Sequence, residues 1–181
     1  MKDLQLRGSG SILGDIQSGF IANVGLNIFN KYVIDSIEGK SEDKSSILET
    51  EIKLDCYWGS SIPKSYIDAD SERIDIYKRL EHSEPNKVDE IKNEIIDRFG
   101  NVPEITDNLF STAKIRSILQ KKEILRCKIR EFQVELFPVD LTEDLKLSIE
   151  KYDKTFIFRN KRLVLNFQHS LTPESTYELL D

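Results

Sequence analysis

Hydrophobic spacing changes character twice along this 181-residue chain, and that change constrains its fold more than any other feature. Ile52, Leu54, Cys56 and Trp58 fall at every second position within 51–58, the spacing of a strand with one buried face. The spacing then lengthens to helical: Ile74, Tyr77 and Leu80, next Val88, Ile91, Ile95 and Phe99, next Ile105, Leu109, Ala113 and Ile118. Beyond residue 121 alternation returns, with Cys127 and Ile129, then Val134 and Leu136. Strands, helices and strands again in blocks predict an α+β domain, not a doubly wound sheet. The expected product is a compact domain of helices packed with a small, mainly antiparallel sheet.

Local signals refine this order. Asp68 or Asp70 suits the cap of a helix over 71–82. A second helix is expected over about 87–99, with Gly100 at the position after its last turn. Pro103 fits the first position of a third. Residues 141–152 read as a short helix. Residues 155–158 and 163–167 flank Arg159-Asn160-Lys161-Arg162 as the arms of a hairpin. A last helix is expected from Thr172-Pro173.

The N-terminal stretch is different. Five of the eight glycines, Gly8, Gly10, Gly14, Gly19 and Gly25, fall in the first 25 residues. They predict an irregular, tightly turning segment that allows close backbone approach. Ile21, Val24, Ile28, Tyr32 and Ile37 then mark one helical stripe, stopped by Gly39. The polar run 40–46 is the best boundary, dividing the chain into an arm and helix (1–45) and a C-terminal domain (46–181).

Several kinds of chemistry are poorly supported. The Gly8–Gly14 run is one residue longer than a dinucleotide fingerprint and follows no strong strand. Gly39-Lys40-Ser41 imitates the end of a phosphate-binding loop, but Ile34 stands where that loop needs glycine. Cys56 and Cys127 form neither a zinc spacing nor a disulfide framework, which fits a reducing, cytoplasmic compartment. Cys56 reads as a core thiol, and His82 and His169 as surface histidines. No apolar run is long enough to span a bilayer. The net charge of −6 argues against a free-standing nucleic-acid binder. One basic stretch, with Lys114, Arg116, Lys121, Lys122, Arg126, Lys128 and Arg130 against Glu123 alone, leaves open a nucleic-acid-binding adaptor. A solvated helix face and edge strand explain the same run better, because no aromatics interleave to stack bases.

Residues 2–19, KDLQLRGSGSILGDIQSG, resemble (R/K)DLxIRGxGxxLGxxQSG, the second half of the translocation motif shared by RecG-type branched-DNA translocases and transcription-repair coupling factors. Later segments single out the coupling factors. Val24-Gly25-Leu26-Asn27-Ile28-Phe29 resembles their VGFxLY, and Ile62-Pro63-Lys64-Ser65-Tyr66-Ile67 their IPxxYI. Residues 73–80 resemble RLxLYKRL, and residues 94–103 resemble ELxDRFGxxP. The likeness extends to about Gln120 and is only general beyond Lys121.

The resemblance implies a non-catalytic C-terminal part of an ATP-dependent DNA translocase that displaces stalled RNA polymerase and recruits UvrA. ATP and magnesium would bind motor segments of the full-length protein, with no cofactor, metal or catalytic residue in this chain. Arg7 and Gln17, set among Gly8, Gly10 and Gly14, match positions that couple ATP hydrolysis to movement on duplex DNA. Glu94, Asp97 and Arg98 match the polar positions through which the C-terminal domain contacts an N-terminal, UvrB-like module and hides its UvrA-binding surface. Their spacing puts them on one helix face, away from Val88, Ile91 and Ile95, where they are expected to be free for a partner.

Overall fold

A computed structural model describes residues 52–151 and 156–181. The arm with Arg7, Gly8, Gly10, Gly14 and Gln17, the helix expected after it and the 45/46 boundary lie outside the described residues. The elements run β1 (Lys53–Cys56), α1 (Asp70–Glu81), α2 (Pro85–Phe99), α3 (Glu104–Lys121), β2 (Arg126–Arg130), β3 (Gln133–Phe137), α4 (Glu143–Ile149), β4 (Ile157–Arg159), β5 (Arg162–Asn166) and α5 (Pro173–Leu180). This is the expected α+β block order.

The strands form one sheet in the order β1-β2-β3-β5-β4. β1 pairs parallel with β2, and every other pairing is antiparallel. Period-two alternation sends Cys127, Ile129, Val134, Leu136, Leu163 and Leu165 to one face, where they pack with Ile115, Ile118 and Leu119 of α3, Ile149 of α4 and Leu180 of α5. The β4–β5 turn is only Asn160-Lys161, both at positive φ (52° and 61°), the geometry that matches the twist of a two-residue hairpin.

A second apolar cluster joins α1, α2 and the first half of α3: Ile76, Tyr77, Leu80, Val88, Ile91, Ile95, Leu109, Phe110 and Ala113, with Ile62 and Ile67 from the preceding segment. α3 belongs to both clusters, and so it is buried on nearly every side.

Several boundaries differ from expectation for local reasons. Neither Asp68 nor Asp70 caps α1: Ala69 holds that position without a side-chain cap, and Asp70 turns to Arg73. Arg73, 1% exposed, donates to the Ile67 and Asp68 carbonyls at 2.6 and 3.0 Å and so ties down the chain that enters the helix. Ile76 is buried, whereas Ile74 is only half-buried. α2 starts at Pro85 in its first turn rather than at residue 87, and ends at Gly100 with φ 82°. Pro103 precedes α3 as its N-cap residue rather than opening it. Ile105 is 39% exposed, not inward, although its side chain lies close to Gly59. The helix expected over 141–152 contracts to α4, whose N-cap Thr142 accepts from the Leu145 amide at 3.2 Å. β1 is shorter than the alternating run, ending before Tyr57 and Trp58.

Candidate functional site

The face predicted for partner contact lies on α2, packed alongside α1. Val88, Ile91 and Ile95 are buried below it, as their spacing requires. Glu94 and Arg98 are one helical turn apart, and Arg98 lies 3.5 Å from the Glu94 carboxylate. The structure adds partners from α1. Arg79 holds both oxygens of Glu94, one at 3.0 Å and the other through a shorter contact of its second guanidinium nitrogen. Asp75 lies 3.8 Å from Arg79, and Arg98 also reaches Glu72 of α1 at 2.6 Å. Arg98 additionally sits 4.8 Å from the Phe99 ring centre.

These contacts chain Asp75, Arg79, Glu94, Arg98 and Glu72 into one ionic network across two helices. A planar guanidinium matched to a carboxylate is the strongest ion-pair geometry available to side chains. The hydrogen bond from Arg79 holds the Glu94 carboxyl below the usual carboxylate range, with neighbouring Arg98 adding to the effect. The same bond raises the Arg79 guanidinium.

The expectation that all three polar residues are free is therefore corrected. Glu94 and Arg98 are engaged with α1, because helix packing brings Arg79 and Glu72 to them. Asp97, which is exposed like Arg98, is the one of the three whose side chain has no ion-pair or hydrogen-bond partner among the described residues. Ile96 is also 36% exposed, but its helical position turns it away from Glu94 and Arg98. The pairs Asp75–Arg79 and Glu94–Arg98 are legible from i,i+4 spacing, but the Arg79–Glu94 and Arg98–Glu72 bridges depend on tertiary packing.

The basic stretch does not form a continuous surface. Lys114 bridges Asp89 at 2.6 Å and Lys121 bridges Glu84 at 3.3 Å. Arg116 is buried and donates to the Ile52 carbonyl at 3.4 Å. Lys122 donates to the Asp181 carbonyl at 3.0 Å, and Arg130 bridges Asp55 at 2.6 Å. Arg126 and Lys128 face outward from the sheet instead.

Other candidate groups are quiet. Cys56 packs against the core, and burial pushes its thiol up to about 12. Burial raises the Cys127 thiol as well. A thiol held protonated in this way is a poor nucleophile. His82 is exposed, and His169 lies edge-on to Phe167 with ring centres 6.1 Å apart. Among the described residues no group of three or more His, Cys, Asp or Glu side chains is placed to hold a metal ion. No described helix is long and apolar enough to cross a membrane.

Comparison with known proteins agrees with this architecture. The family model "TRCF domain" matches residues 58–152. The transcription-repair-coupling factor of Bacillus subtilis (strain 168) is 33% identical over 141 residues, covering 72% of this chain and 12% of that protein. The Buchnera aphidicola protein of the same name (subspecies Acyrthosiphon pisum, strain APS) is 37% identical over 125 residues, covering 66% of this chain and 15% of its own length. The chain thus spans under one sixth of these relatives. A crystal structure of the C-terminal domain of a transcription-repair coupling factor matches the fold with a TM-score of 0.56 at 18% identity, covering 74% of this chain and 90% of that one. With the helical segments around α1 to α3 inside the matched region, the chain belongs to the transcription-repair coupling factor family and carries its TRCF domain.

Proposed function

We propose that this chain is the non-catalytic C-terminal part of a cytoplasmic transcription-repair coupling factor. The full-length protein would be an ATP-dependent translocase on duplex DNA that displaces stalled RNA polymerase and recruits UvrA. ATP and magnesium would bind its motor segments, and this chain alone would hydrolyse no ATP. The N-terminal arm, through Arg7 and Gln17, would couple nucleotide turnover to movement. The TRCF domain would bind the N-terminal UvrB-like module of the same protein and mask the surface that takes UvrA.

The observation that carries the masking role is the α2 face. Glu94 and Arg98 are held in fixed positions by Arg79 and Glu72, and Asp97 projects beside them without a partner. A rim of mixed charges selects its partner and releases it readily, because its energy lies in complementarity more than in buried apolar area.

The test uses the purified N-terminal module. Asp97→Lys should weaken its binding to this chain at least tenfold, and unchanged binding removes the masking role. The coupling role is tested separately in the full-length protein. Arg7→Ala should retain ATP hydrolysis and lose displacement of stalled polymerase; retained displacement refutes it.

A further inference from the structure

The outer face of the sheet carries a basic row that no linear stretch of sequence reveals. Lys53 pairs with Arg126, and Arg126 with Phe137. The Leu136–Leu163 pairing sets Phe137 beside Arg162, which pairs with Arg159. One residue from each strand thus gives the order Lys53, Arg126, Phe137, Arg162, Arg159, all exposed. At about 4.8 Å between strands, five strands span roughly 19 Å.

No carboxylate interrupts this row. Arg162 reaches Glu135 in the next row at 2.6 Å, and Arg126 lies 5.9 Å from the Phe137 ring centre. Lys53 and Arg159 have no ion-pair partner among the described residues. Arg159 and Arg162 stand directly opposite each other, an arrangement that destabilises a strand pair. A chain with net charge −6 has ample acidic residues to relieve that repulsion, yet Glu135 answers only Arg162. Between the cations lies a cleft of about 480 Å³ with Phe137, Ile157 and Val164 on its walls, together with Glu135, whose carboxylate is paired to Arg162.

We propose that this face binds single-stranded nucleic acid, with phosphates on Lys53, Arg126, Arg159 and Arg162 and a base against Phe137 and the apolar cleft. Cations flanking an exposed aromatic on both sides suit such a strand, since its bases are free to stack and its backbone carries regular charge. The row is longer than one nucleotide. It runs across the strands, whereas an acidic peptide that adds to a sheet runs along its edge. A duplex offers phosphates but hides its base faces, leaving Phe137 without a role. The site involves neither α2 nor the masking contact, so either reading can fail without the other.

The test is fluorescence anisotropy of the full 181-residue chain with labelled oligothymidine and oligouridine. Oligomers about a dozen nucleotides long suit the ~4–16 nucleotides typical of such surfaces. Three to four neutralised phosphates give a slope of about −2 to −3 in log K against log salt. Arg126→Ala and Arg159→Ala should each flatten that slope by about 0.7. Phe137→Ala should weaken binding roughly 5- to 150-fold with the slope unchanged, as loss of one stacked base does. Lys114→Ala, in the basic stretch but off this face, should change nothing. The proposal is overturned by absent binding, by equal loss in Lys114→Ala, by preference for duplex with Phe137→Ala silent, or by polyglutamate competing as well as the oligonucleotides. Matching thermal melts of the variants keep loss of folding from passing as loss of contact.

Discussion

The two sides of α3 satisfy their buried polar groups in opposite ways. Towards the sheet the core is mostly aliphatic, with Trp58 and the buried Arg116 as exceptions, and the backbone bonds lie largely in the strand ladders. Towards α1 and α2, side chains do that work. Tyr77 Oη accepts from the Ile62 amide at 2.8 Å, and Arg73 donates to two carbonyls of the 62–70 segment. Thr106 donates to the Ser61 carbonyl at 2.9 Å. The difference follows from chain geometry. Residues 57–69 cross the helical side without a strand partner, and buried backbone groups there require some other partner. Polar residues enter this core where the backbone is irregular, not at the proposed partner face of α2.

The comparison can be broken by substitution on each side. Leu119, fully buried against the sheet, should cost about 2–5 kcal/mol on truncation to Ala, the usual range for a buried aliphatic. Arg73→Ala should cost about 2–3 kcal/mol, from carbonyls that lose a charged donor. Arg73→Met should recover only the part owed to the packed stem. Urea denaturation followed by circular dichroism measures all three. If Arg73→Met matches wild type, the hydrogen bonds to the 62–70 segment contribute nothing and the contrast between the two sides collapses.

How far the structure was legible from sequence follows the same division. Period-two and period-3.6 spacing located β1, α1, α2, α3, the β2–β3 pair and the last hairpin, because most of them bury a face whose apolar residues repeat accordingly. The buried position of Arg73 was not legible, since an arginine in a charged helix reads as solvated until the segment it ties down is in place. Ile105 misled for the reverse reason: its period was right, but in the first turn of α3 it is covered only in part, near Gly59, and stays 39% exposed. At the candidate site, the helix face of Glu94, Asp97 and Arg98 could be read from spacing. The capture of Glu94 by Arg79 could not, because it joins residues 15 apart on different helices. The basic row was hidden more completely, as each of its members comes from a different strand.

Glu94 gives a smaller and more specific effect. Its carboxyl is held below the ordinary range by Arg79, so its contribution is full above the unfolded value near ~4.3 and is lost as pH falls through the lower native value. Glu94 is 40% exposed, so Glu94→Gln should cost only about 0.5–1 kcal/mol at neutral pH. The gap between wild type and variant should close as pH drops below about 4.3. Denaturation midpoints at pH 7 and at successively lower pH check this. A gap undiminished in acid means that the cost comes from packing, and that the Arg79–Glu94 pair has no net electrostatic value.

Asp97 should have the smallest effect on stability. It is exposed, has no partner among the described residues, and lies in the last turn of α2. A negative charge near a helix C-terminus is mildly unfavourable, so Asp97→Lys should leave stability within about 0.5 kcal/mol or raise it slightly. Reversal at Glu94 would be ambiguous, because it also releases Arg79 and repels Arg98. Asp97 separates the two roles cleanly. Unchanged melting with weakened binding to the N-terminal module assigns the residue to contact. A loss above about 1 kcal/mol makes it structural, and the α2 face then belongs with the helical core rather than with a partner.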